Sequence, residues 1–314
     1  MRALTAVGLC AVAVATLAAS NARGDRNDLT LERIVGAPTA PGMFNDPTDP
    51  ARQTMYKSLM SELGVVLAPR ALAPADTLGY SGFQLAFETS FTQISNHADF
   101  WQKGVQNVYS SFLPTISVMA RKGLWLPLPG FEIGAGATKL IDSDMYAVQG
   151  YVKLALHEGF HDWAIPSLAL RGAVSHLLGS PQVDLTVVSV DATVSKSFGI
   201  AGTVTLDPYA GAGALLGIVR GQVIDTTPGT DSFSDGSGSN DINANTTFPD
   251  PATIVRWRLW AGFRLVYAFV AFTGEFVYTF CNDSASNCGK VDPMRITDRS
   301  GGQAQINFSA SFLF

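Results

Sequence analysis

The sequence predicts an antiparallel transmembrane β-barrel of about ten strands, and three observations predict it. The chain is hydrophobic yet charge-poor: 314 residues, 47% hydrophobic, 15% charged, with 30 glycines. Beyond the extreme N-terminus no run of apolar residues is long enough for a membrane helix. From residue 79 to the end, apolar and polar residues alternate with a period of two, the spacing that sends successive side chains to opposite faces of a strand. A mean hydropathy of +0.19 argues against disorder. A formal charge of −5 gives no basic footprint, so nucleic acid is excluded as a partner.

The N-terminus reads as an address. Met1-Arg2 precedes an apolar stretch from Ala3 to Ala19 and a small-x-small pattern, Ser20-Asn21-Ala22. That predicts a secretory signal peptide over 1–22. Two cysteines then remain, Cys281 and Cys288. In an oxidising envelope compartment such close cysteines are expected to form a disulfide. Residues 23–78 lack the period of two and are punctuated by Pro38, Pro41, Pro47 and Pro50. A helix is predicted near 51–63, because Met55, Leu59 and Leu63 share a face. Asp49-Pro50 supplies its start and Gly64 its stop. The segment 23–78 is assigned to the periplasm or to a plug, and 79–314 to the barrel.

Ten strands are read from the alternation, at 79–95, 112–122, 130–141, 145–158, 164–178, 183–198, 200–224, 254–267, 270–282 and 302–314, with eight or twelve as alternatives. In the sixth, Leu185 and Val187 share a face with Asp191, which suggests a bulge. Loop lengths test the count. The long connections, 96–111, 225–253 and 283–301, all come after odd-numbered strands, as long extracellular loops and short periplasmic turns require. Trp125, Trp163, Phe198, Tyr267, Phe269 and Phe314 fall at the other strand ends, the level of an aromatic girdle.

The stretch 254–267 sets the faces. Arg256, Arg258 and Arg264 share one face of a strand but would scatter around a helix. An arginine facing lipid at the midplane costs about 2–4 kcal/mol, so all three are predicted to point inward. The same parity collects a charged inner face of Glu88, Arg121, Glu132, Lys153, Arg171, Asp191, Asp207, Arg256, Arg258, Arg264 and Glu275. Glu275 is the nearest partner in sequence for Arg264. Either the lining neutralises itself in a filled barrel, or the arginine row forms a narrow anion-attracting path. Ten strands leave too little room for an open diffusion pore.

The last strand ends in Phe314, with Phe312, Ala310, Phe308 and Ile306 at alternating apolar positions. It resembles the C-terminal targeting signal of bacterial outer-membrane β-barrel proteins. The resemblance covers the last dozen residues directly, with the strand pattern over 79–314 as looser support. It implies an outer-membrane location, a surrounding of outer-membrane lipid and lipopolysaccharide, and recognition by the barrel-assembly machinery. It transfers no activity.

Two motifs invite chemistry. His157-Glu158-Gly159-Phe160-His161 matches the HExxH pattern of zinc hydrolases, which needs a helix to bring both histidines to one side. Here it straddles a strand end and a turn, so a barrel-borne zinc hydrolase using His157, Glu158 and His161 ranks last. The aspartate-rich loop 225–253, with 283–301, would serve a surface binding or adhesion role instead. The leading expectation is a non-enzymatic barrel without cofactor, either structural or a narrow solute channel.

Overall fold

The computed structural model describes residues 25–36, 45–107, 110–125, 130–159, 165–200, 202–226, 245–281 and 296–314. The predicted signal peptide, His161, Trp163, Cys288 and most of the two largest loops lie outside them.

Ten strands close into one antiparallel wall. They are β1 (Phe83–Gln93), β2 (Phe112–Leu124), β3 (Phe131–Leu140), β4 (Tyr146–His157), β5 (Ser167–Leu178), β6 (Val183–Ser195), β8 (Val204–Gly221), β11 (Ile254–Tyr267), β12 (Val270–Thr279) and β13 (Gln303–Leu313). Each pairs with its chain neighbour in the wall, and β1 pairs with β13 to close the ring, Leu85 opposite Phe312. Closure leaves no edge, which the membrane interior demands. The short β7 (Phe198–Ile200) pairs only with β8, and β9 (Val223–Asp225) with β10 (Asn245–Thr247) forms a separate ribbon. The described strand ends fall close to those read from the alternation because that signal is local.

One end of the barrel holds the start of β1 and Phe314; the other holds the long connections. We call these the terminal end and the loop end. Trp125, Tyr267, Phe269 and Phe314 are exposed at the terminal end, where Tyr80 meets Trp125 edge-on at 6.1 Å.

The N-terminal residues do not form a domain apart from the wall. Helix α1 (Glu32–Val35) and helix α2 (Pro50–Val66) sit at the loop end with α3 (Asp99–Gly104) of the first long connection. Residues 67–82 then run to the terminal end and enter β1. Asp49 caps α2 by accepting from the Ala51 amide at 2.7 Å, and Pro50 occupies the first turn, where its missing N–H costs nothing.

Two expectations are corrected. The helix does not stop at Gly64 but continues to Val66. Gly64 packs close to Val187 of the wall, so tertiary burial overrides the weak helix preference of glycine. The predicted bulge is absent from β6, whose registers with β5 and β8 run unbroken. The irregularity lies instead between β4 and β5, at Ala155 and His157. Leu185 and Val187 do point inward beside Asp191, because the space they face contains a helix.

Candidate functional site: the occupied lumen

The inner wall has two storeys. At the loop end its inward positions are apolar: Leu113, Leu140, Leu177, Val183, Leu185, Leu215 and Ile254 are buried in one cluster with Tyr56, Leu59, Met60 and Leu63 of α2. A helix satisfies its own backbone, so it asks only for apolar contact from its surroundings. The packing is tight. One cavity between α2 and the wall, lined by Met60, Gly64, Val187 and Arg256, amounts to about 10 Å³.

The remaining side of α2 is polar and faces residues 297–301. The Thr297 and Arg299 amides donate to Thr54 Oγ1 and Ser58 Oγ at 3.2 and 2.8 Å. Glu62, fully buried, accepts from the Ser95 amide and hydroxyl, from Trp101 Nε1 at 2.6 Å and from the Gly301 amide. A buried carboxylate without such donors would be strongly unfavourable. Tyr56 stacks on Phe248 at 4.5 Å. Burial, with Asp250 nearby, holds its phenol above the ordinary tyrosine range.

The lower storey faces an extended strap, residues 67–78. Extended chain leaves its N–H and C=O groups unpaired, and Pro69 and Pro74 prevent it from joining a sheet. The charged wall supplies the partners. The Pro69 carbonyl accepts from Arg258 Nη1 at 2.9 Å and from Arg171 Nη2 at 3.3 Å, and the Arg70 carbonyl from Arg171 Nη1. Leu72 donates its amide to Glu275 Oε2 at 3.1 Å and accepts from Arg121 Nη1 at 2.9 Å. Lower down, Lys153 Nζ donates to the Asp76 carbonyl at 2.9 Å, and the Leu78 amide donates to Glu132 Oε2 at 3.1 Å. The Thr77 amide and hydroxyl donate to Glu158.

The wall charges also pair with one another. Arg121 meets Glu88 at 2.7 Å, Lys153 meets Glu132 at 3.1 Å, and Asp191 lies between Arg171 and Arg258, 2.8 Å from each. All eleven residues of the predicted inner charge set point inward. The partner of Arg264 differs from the sequence expectation. Glu275 lies opposite Gly262, two positions away, but Arg264 pairs with Asp207 directly across on β8, at 2.7 Å. Glu275 is instead taken by Leu72, Tyr209 and Asn307. Sequence proximity favours the β11–β12 hairpin, but β11 also pairs with β8, the wall strand before it. Arg256 stands apart at the loop end, where it donates to Gln303 Oε1 and to the carbonyls of Phe280 and Gly301.

Reasoning from sequence missed Arg70 and Glu62. Arg70 is buried in the strap and donates to Thr115 Oγ1 at 2.6 Å and Ser117 Oγ at 3.0 Å. Arg70 lies in no periodic segment, so no face could be assigned to it; Glu62 falls seven residues after Met55, beside the apolar face of the predicted helix, and that spacing could have found it. His157 ends β4 as a strand residue and Glu158 is committed to Thr77; the helix that the zinc motif needs is not formed at 157–159. The described residues contain no group of three or more histidine, cysteine, aspartate or glutamate side chains that could hold a metal ion.

On the outer wall, Trp257, Leu259, Phe263, Phe272, Phe276 and Phe308 are each about half exposed or more. Such exposed apolar positions alternate with buried ones, which are polar or charged over much of the terminal half and apolar at the loop end, and only lipid suits so apolar an outer surface. The closed wall with this outer surface is that of a membrane-spanning β-barrel. No protein-family model and no curated protein matches the chain. Among solved structures it is similar to Neisserial surface protein A, with 13% identity over 74% of this chain and 94% of that one, at a TM-score of 0.28. It is also similar to Ail, the attachment invasion locus protein of Yersinia pestis, with 9% identity, coverage of 75% and 99%, and a TM-score of 0.26. A third is the Acinetobacter baumannii outer membrane protein Omp33, with 11% identity, coverage of 76% and 99%, and a TM-score of 0.24. At these values the similarity carries no argument; the barrel rests on this chain's own closed ladder.

Proposed function

We propose that the protein is a non-enzymatic outer-membrane barrel closed by its own N-terminal segment, a structural scaffold and not a solute channel. One observation carries this reading: the charges that a channel would present to ions are spent on the backbone of residues 69–78 and on each other. An arginine already donating to Asp191 and to the Pro69 carbonyl has little left to offer a passing anion. Single-channel recording in planar bilayers tests it. The full mature chain should show no steady conductance, and a folded variant lacking residues 25–78 should conduct. A steady open level from the full chain would sink the reading.

A surface-binding role is supported by a separate observation. The described ends of the 225–253 connection are pinned to the barrel, through Phe248 on Tyr56 and the Gly221 amide on Asp250, so the connection leaves the barrel from a fixed base. Deleting 227–244 should then abolish ligand capture by cells and leave the barrel folded. Cys281 ends the described part of the next loop, and a bridge to Cys288 would tie that loop's base with a gain of roughly 2–3 kcal/mol. Thiol labelling of unreduced protein at both positions would exclude the bridge. The strand ending in Phe314 is proposed to be the signal read by the barrel-assembly machinery; Phe314→Ala should lower the assembled fraction.

A further inference from the structure

Among the described residues, those before the strap, 25–36 and 45–66, make their contacts at one end of the barrel, the end with the long connections. The Asn27 amide donates to the Asp142 carbonyl at 2.9 Å, between β3 and β4. Leu29 bridges to Val105 beside α3, and the Leu31 amide donates to Gln182 Oε1, between β5 and β6, at 2.9 Å. Glu62 binds Ser95 after β1 and Gly301 before β13. From Val66 the strap then meets wall residues in descending order. Arg70 reaches Thr115 near the loop end of β2, Leu72 meets Arg121 and Glu275, and Leu78 meets Glu132 at the terminal end of β3. Gly82 and Phe83 close against Gly123 and Phe314.

Outer-membrane barrels keep long loops outside the cell and short turns in the periplasm. The connection of β11 to β12 at the terminal end is the two residues Ala268 and Phe269, whereas 94–111 and 280–302 lie at the other end. We propose that the chain passes outward through its own barrel, so that residues 25–36 and the start of α2 lie at the extracellular mouth, the rest of α2 fills the lumen beneath them, and only residues near 79–82 lie at the periplasmic mouth. The sequence expectation places residues 23–78 in the periplasm or in a plug. The threaded path keeps the plug for residues 67–78 and the buried end of α2, and moves α1 and the start of α2 to the outer mouth. It also makes α1, the start of α2 and the aspartates near residues 25–28 part of whatever surface a partner meets. The inference goes beyond closure of the lumen, because a leaky barrel could have the same sidedness.

Labelling of intact cells with a membrane-impermeant maleimide tests it. Ala51 and Asp46 are exposed at the loop end, and Tyr80 is exposed at the terminal end. Ala51→Cys and Asp46→Cys should label as strongly before permeabilisation as after it, above the background of the parent chain. Tyr80→Cys should label only after the outer membrane is opened. Heat-modifiable gel mobility confirms folding of each variant, and two loop-end positions guard against a local defect in one. Labelling of both loop-end positions only after permeabilisation would overturn the proposal, as would labelling of Tyr80→Cys on intact cells. Conductance with surface-labelled Ala51→Cys would refute closure alone and leave the threaded path standing.

Discussion

At the loop end the inner wall is apolar and faces a helix; at the terminal end it is charged and faces extended chain. The two storeys belong to the same strands, and often to the same strand a few residues apart. On β6, Val183, Leu185 and Val187 join the apolar cluster of α2, whereas Asp191 and Ser195 serve the strap and its clamps. The difference comes from what each occupant brings. A helix arrives with its backbone paired and offers side chains. An extended, proline-bearing strap arrives with bare amides and carbonyls, each costing about 1–3 kcal/mol if buried unmet. The wall therefore changes chemistry where the occupant changes conformation.

The largest effect should come from the lower storey. Asp191→Ala leaves Arg171 and Arg258 buried without their shared carboxylate, and removing one partner of a buried pair costs about 3–5 kcal/mol. Urea unfolding in detergent micelles should show the loss. If the variant unfolds like the parent, the charged wall is not what holds the strap. A similar loss confined to the upper storey is expected from Leu63→Ala, at about 2–5 kcal/mol. Leu63 is fully buried against the apolar wall. Here protease should cut within 45–66 while the wall keeps its heat-modifiable mobility; joint collapse of both would show that the storeys are one cooperative unit.

Glu62→Gln should cost less, about 1.5–3 kcal/mol for hydrogen bonds to a charged group, because the amide oxygen still accepts. Its signature is faster amide exchange at Ser95 and Gly301, the two backbone donors it holds. The smallest effect is expected at Tyr56, whose buried hydroxyl has no hydrogen-bond partner among the described residues. Tyr56→Phe should be neutral or slightly stabilising at neutral pH. Since the phenol is held above its unfolded value, its contribution is complete below that value, near pH 10, and declines as pH rises past it. Docking of α2 should thus weaken above about pH 10 in the parent more than in Tyr56→Phe. Identical pH profiles would exclude this phenol as the sensor.

The strands, their faces and the outward lipid surface were legible in the residues alone, because these depend on a period of two that each strand carries locally. Arg256, Arg258 and Arg264 could be placed inward from parity and the cost of charge in lipid. A helix after Asp49-Pro50 was legible too, though not its end. The contacts of the inner charges and the path of the first residues became visible only in the folded chain. Asp207 meets Arg264 because the register between β8 and β11 sets the two directly opposite, and no periodicity encodes that register. The strap has neither helical nor strand period, and its backbone is satisfied by side chains distant in sequence, from Arg121 to Glu275. Its route through the barrel is set by long-range hydrogen bonds, and those exist only once the wall has formed.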